Sequence, residues 1–142
     1  MGVTVAYMTT PNLERLDYGK HGRWALTQEL AAELGLETVL VNGDLPDTEL
    51  VAALAGADVV IPLMAPQGLQ GNIDLMPLPI ARQLPALRLV QLLSAGSNEL
   101  DIRGLAELGI SVANNGGANA IPVSEHAIAL MLSVYRCMMQ QW

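Results

Sequence analysis

The sequence has a single cysteine, Cys137, and one thiol cannot close an internal disulfide. Nothing in it therefore calls for an oxidising compartment. Basic side chains are scarce as well. There are seven, Arg15, Lys20, Arg23, Arg82, Arg88, Arg103 and Arg136, scattered singly in a chain of net charge −7. An acidic chain without a basic cluster has no electrostatic hold on a polyphosphate, which argues against a nucleic-acid partner. The two histidines, His21 and His126, lie far apart, and no Cys/His spacing suggests a metal site. No apolar run reaches membrane-spanning length. The N-terminal MGVTVAYM lacks the basic start of a signal peptide, and Ala6 stands where myristoylation needs Ser or Thr. These absences lead to the expectation of a cytoplasmic protein with no membrane partner.

What is present is apolar. Hydrophobic residues make up 51% of the 142 and charged ones 15%, too apolar for a disordered chain and long enough for one domain with a core. Short apolar runs alternate with helical segments, the pattern of a parallel sheet covered on both faces. Strands are expected at Val3–Met8, Glu37–Val41, Asp58–Met64, Arg88–Leu93 and Ile110–Ala113. A loop with Pro11, Gly19 and Gly22 follows the first, and Ala65–Asp74 reads as another. Trp24–Leu34 reads as a helix with Leu26, Leu30 and Leu34 on one face and Gly35 at its C-terminal stop. Asp47 is the expected N-cap of a helix through Leu54 that Gly56 ends. A helix with Pro77 and Pro79 near its start is expected to run to Leu84, and Asp101 to cap Ile102–Leu108, with Gly109 after it. Five strands with intervening helices predict a flavodoxin-like, doubly wound α/β sheet, in which ligands sit beyond the carboxyl ends of the strands.

The last segment, PVSEHAIALMLSVYRCMMQQW, differs. Val123, Ala127, Leu130 and Val134 form one stripe, and Ile128, Leu132, Tyr135 and Met139 another. A helix apolar nearly all round should be buried on more than one side. It either dimerises or lies between two domains. The chain stops at Trp142 with no helix stop, which favours the second reading.

No G-x-G-x-x-G or P-loop motif occurs. Gly116-Gly117-Ala118-Asn119-Ala120 lies between a strand and a helix, but its glycine spacing is wrong for a dinucleotide and no acid follows about 20 residues on. Two loops carry more. Ser94–Asp101, SAGSNELD, follows a buried strand, and its small Ala95 and Gly96 would let backbone N–H groups approach a carboxylate. It reads equally as an ordinary strand-to-helix turn capped by Asp101. In Asn114–His126, Asn119 precedes a helix at another strand end and could bond a substrate oxygen or its own backbone. Glu125 is expected in the first helical turn. His126 reads as a buried, hydrogen-bonded histidine. Cys137, Met131, Met138 and Met139 read as packing residues.

Together these loops, within residues 87–136, resemble the D-isomer-specific 2-hydroxyacid dehydrogenases. The strand–SAG–helix unit, the G-I-x-V-A-N strand at Gly109–Asn114 and the A-N-A-x-x-V-x-E-H helix start at Ala118–His126 carry the resemblance. Residues 1–86 fit the family's order of elements and carry little signature. The resemblance implies hydride transfer between nicotinamide and carbon 2 of a small 2-hydroxy or 2-keto acid. It implies substrate contacts from Ser94, Ala95 and Gly96 through backbone N–H groups, and from Asn119. It implies a substrate-binding domain over 1–120 and an inter-domain helix over 121–142 leading to a Rossmann domain this sequence lacks, so that the chain reads as truncated. The family's catalytic Arg, Glu and His lie in or beyond that domain, so no catalytic residue is expected here, and His126 is not the catalytic histidine. NAD or NADP is expected in the complete enzyme, a homodimer, and neither cofactor on this chain alone, which should be inactive. Ser97, followed by Asn98, stands where relatives often have an aromatic or apolar residue, and Ser124 and Pro122 depart from the common Ala and small residue.

The alternative is a non-enzymatic flavodoxin-like module that binds or self-associates. Thr9-Thr10-Pro11-Asn12 supplies neither the clustered acids of a phospho-receiver nor the glycine of a flavin phosphate loop.

Overall fold

A computed structural model of the chain describes residues 2–9, 23–62 and 74–137. The elements run β1 (Val3–Thr9), α1 (Arg23–Glu33), β2 (Leu36–Asn42), α2 (Asp47–Leu54), β3 (Val59–Pro62), α3 (Leu78–Ala81), β4 (Leu89–Gln91), α4 (Ile102–Glu107), β5 (Ser111–Ala113) and α5 (Ala120–Tyr135). All four strand pairs are parallel and the order is β2-β1-β3-β4-β5. This is the expected flavodoxin-like sheet, with its topological switch between β1 and β3. The loops read at 10–22 and 65–73, and the end of the third strand at 63–64, lie outside the described residues.

The two faces of the sheet are unequally covered. Ala6, Val60 and Val90, almost wholly buried, share one core with Leu50 and Leu54 of α2, Ile80 and Ala81 of α3 and Leu105 of α4. Right-handed crossovers put those three helices on one side and α1 on the other. There, Tyr7 meets Trp24 edge-on, ring centroids 5.3 Å apart. Ala31 of α1 is buried, but Leu26, Leu30 and Leu34 are 53%, 50% and 75% exposed. The leucine stripe therefore faces outward. The inner side of α1 is Trp24, Thr27 and Ala31, spaced i, i+3, i+7.

Chain ends of elements follow local chemistry. Gly35 (φ 69°) and Gly109 (φ 76°) adopt the left-handed conformation that closes α1 and α4, as expected. Gly56 does not, because α2 ends through an ordinary right-handed residue at Ala55. Asp47 is not the cap of α2. Pro46 holds that place, its carbonyl accepting from the N–H groups of Glu49 and Leu50 at 2.9 Å, and Asp47 lies inside the first turn. Helix α3 stops at Ala81 rather than Leu84. Leu84 precedes Pro85, which disfavours helical backbone there, and Gln83 and Leu84 bond three residues back instead. Asp101 does cap α4, its carboxylate accepting from Gly104 N–H at 2.9 Å.

Candidate functional site

Strands β4 and β5 run side by side, Gln91 opposite Ala113, so the chain leaves both at the same carboxyl edge. Leu92 N–H extends the ladder by donating to Ala113 carbonyl at 2.8 Å. Beyond it the two loops singled out in the sequence are bonded to each other. Asn115 N–H donates to the Ser94 carbonyl at 2.9 Å. Asn114 Nδ2 donates to the Ala95 carbonyl at 2.7 Å. Ser94 Oγ donates to the Gly96 carbonyl at 3.0 Å. Three successive carbonyls are thus occupied.

This fixes the N–H groups. No peptide is cis, and in a trans peptide the N–H of one residue is antiparallel to the carbonyl of the residue before. The N–H groups of Ala95 and Gly96 therefore turn away from the 114–115 loop, and that of Ser97 away from the Ser94 hydroxyl. Among the described residues none of the three has a hydrogen-bond acceptor. Ala95 and Gly96 are exposed and Ser94 is half-buried. A tight turn with consecutive free donors can hold an anion without a charged side chain.

Asn119 stands at the N-terminal end of α5, exposed, with no side-chain bond to the helix. Its carbonyl accepts from Val123 N–H at 3.0 Å, so its backbone is held while its side-chain amide has no partner among the described residues. Ser94, Ala95, Gly96 and Asn119 are thereby carried by two joined loops. Sequence reading missed Asn114 and Asn115, which do the joining. Their signal was an Asn pair directly after a strand, a common turn composition that does not say which loop it bonds.

Three readings in and beside α5 are corrected, those of His126, of Glu125 and of Met131 and Cys137 as packing residues. Its residues are exposed except Ala127 and Ser133, which are half-buried. His126 is exposed and has no hydrogen-bond partner among the described residues, because nothing described packs over it. Glu125 falls past the first turn, since the helix begins at Ala120 rather than at Pro122. Met131 (68% exposed) and Cys137 are exposed rather than packed in a core, while Met138 and Met139 lie outside the described residues.

No metal cradle is found among the described residues. No group of three His, Cys, Asp or Glu side chains converges. In the 114–120 turn a Cβ on Gly116 would stand 3.2 Å from Asn114 Oδ1, whereas Gly117, at φ 84°, has no atom within 4 Å of where its Cβ would be. The N–H groups of Ala118 and Ala120 are spent on Asn115 and Gly117 carbonyls. No helix among the described residues is long and apolar enough to cross a membrane.

Comparison with known proteins follows the same lines. The family model for the catalytic domain of D-isomer specific 2-hydroxyacid dehydrogenases matches residues 24–140. A protein of Haemophilus influenzae that carries the name 2-hydroxyacid dehydrogenase is 38% identical over 53 residues, 37% of this chain and 17% of that protein. Among solved structures, D-mandelate dehydrogenase of Rhodotorula graminis superposes with a TM-score of 0.63 at 22% identity, over 98% of this chain and 38% of its own. The NAD+-bound 3-phosphoglycerate dehydrogenase of Entamoeba histolytica gives a TM-score of 0.62 at 18% identity, over 94% of this chain and 39% of its own. The chain thus spans less than two fifths of these structures.

Proposed function

The chain belongs to the D-isomer specific 2-hydroxyacid dehydrogenase family, within its catalytic domain, and from this we propose that it is the substrate side of an NAD(P)-dependent oxidoreductase. The reaction is oxidation of the CH–OH group of a small D-2-hydroxy acid, or reduction of the corresponding 2-keto acid. The observation that carries the reading is the 94–96 loop, whose carbonyls are held by Asn115, Asn114 and the Ser94 hydroxyl and whose N–H groups have no acceptor among the described residues. In this reading the N–H groups of Ala95 and Gly96 take the substrate carboxylate, Ser94 keeps the turn in shape through its hydroxyl, and Asn119 donates to the oxygen on carbon 2. Holding the acid at two points restricts its orientation, which is what a positioning domain contributes to catalysis.

The nicotinamide supplies the hydride chemistry. In this reading the dinucleotide belongs to a second, Rossmann domain that also provides the proton-transfer groups. Residues 1–120 then form the substrate domain. Residues 121–142, with α5, form the connection to its partner. The exposed apolar surface of α5, with Ile128 at 57% and Leu132 at 55%, supports this. The complete enzyme is proposed as a cytoplasmic homodimer, and the 142-residue chain by itself as inactive.

Two titrations test the proposal. Adding D-lactate should shift the Ala95 and Gly96 amide resonances to saturation. Adding NADH should leave its fluorescence unchanged. Saturable micromolar NADH binding, or Ala95 and Gly96 amides that ignore the acid, would sink it. The same exposed α5 favours one second reading, a self-associating module, and light scattering on the purified chain separates a monomer from an oligomer.

A further inference from the structure

Strand β2 forms one edge of the sheet, and it is long for an edge. It pairs with β1 at every position from Leu36 to Asn42, with no bulge. The opposite edge, β5, has 3 residues against its 7. Edge strands are ordinarily kept from pairing by shortness, a bulge, proline or lysine. β2 has none of these, and Glu37 is its one charge. Val39 and Leu40 are 42% and 44% exposed.

One hydrogen bond fixes which backbone groups of β2 point outward. Thr9 is level with Asn42, and its carbonyl accepts from Gly43 N–H at 2.6 Å. In a parallel ladder every second residue turns both its groups to the neighbouring strand. Counting back from Gly43, Val41, Val39 and Glu37 face β1, while Leu36, Thr38 and Leu40 turn N–H and carbonyl away from it. Those outward groups have no partner among the described residues.

The pattern is complementary to itself, which is what a two-fold interface requires. An axis at Thr38 lays a second β2 antiparallel to the first. Thr38 then faces the partner's Thr38, and Leu36 the partner's Leu40, in pairs that exchange both N–H···O bonds. The side chains agree with this register. Leu40 is level with Tyr7, which touches Trp24, so Leu36 and Leu40 meet on the face that carries α1. On the other face Val39 lies opposite the partner's Glu37. In a chain of net charge −7, no two like charges stand opposed along this edge.

We propose that the outer edge of β2 is an interface between two copies of this chain, which joins their sheets antiparallel across Thr38. The interface lies apart from the 94–96 loop and from α5, and it does not rest on the substrate reading.

Sedimentation equilibrium of the 142-residue chain tests it, because the register makes the outcome depend on the sign of a charge. The wild type should show a reversible monomer–dimer equilibrium. Val39→Glu sets a carboxylate against the partner's Glu37, twice across the axis, and should weaken the dimer roughly tenfold. Val39→Lys sets an ammonium there and should leave the dimer as tight or tighter. Glu37→Lys added to Val39→Glu should restore it. Both positions are exposed, so thermal melts of the variants should match the wild type at concentrations where all are monomeric. A wild type that stays monomeric at millimolar concentration, or equal dimer affinities for Val39→Glu and Val39→Lys, would overturn the proposal. So would a dimer that survives Val39→Glu and dissociates on Ile128→Lys, since association would then run through α5.

Discussion

Asn114 donates its side-chain amide to the carbonyl of Ala95 at 2.7 Å, across 19 residues of sequence. This bond and the backbone bond from Asn115 to Ser94 make one body of two loops that leave neighbouring strands. The turn at Ala95–Gly96 is held by its carbonyls, so its donors are set before any ligand arrives. Pre-set donors lose little entropy on binding, which is the physical basis for treating this loop as a binding element.

Asn114→Ala should lower stability by about 1 kcal/mol, the usual net worth of one such bond. Asn114→Asp should cost more, because a carboxylate would face a carbonyl oxygen. Urea unfolding with an unchanged slope checks both. The Ala95 amide resonance should broaden in each variant as the turn loosens.

Asp101→Ala removes the cap of α4 and should cost about 1 kcal/mol. Asp101→Asn should restore most of it, since asparagine caps equally well. If the two variants unfold at the same urea concentration, the cap bond to Gly104 is not what matters.

The glycines should divide by backbone conformation. Gly35→Ala and Gly109→Ala force a side chain into φ near +70°, and each should lose about 1–2 kcal/mol. Gly56→Ala meets no atom within 4 Å and no positive φ, so it should be neutral or stabilising by up to about 1 kcal/mol. Thermal melts of the three variants give the comparison.

Leucines of similar appearance in the sequence should behave very differently. Leu54 is fully buried beneath the sheet, and Leu54→Ala should cost about 2–5 kcal/mol. Leu30, half exposed on the outer side of α1, should cost less than about 1 kcal/mol when truncated. Equal losses in chemical denaturation would mean that the α1 stripe is covered after all.

The order of elements, the parallel sheet and the family could all be read in the sequence, because each rests on local pattern. Apolar runs near Val60 and Val90, helix stops at Gly35 and Gly109 and the Asp101 cap depend on residues close in the chain. The SAGSNELD and NNGGANA motifs pointed to the two loops for the same reason. Three features were decided only by the tertiary structure. The side of α1 that faces the sheet turned on the edge-on contact of Trp24 with Tyr7, not on the leucine repeat, because periodicity marks an apolar face without saying what lies opposite. The hold of Asn114 on Ala95 and the burial of Thr9 arise from strands paired across long stretches of sequence. Hydrogen bonds and burial at such a distance depend on where other strands end, and no local pattern of residues carries that information.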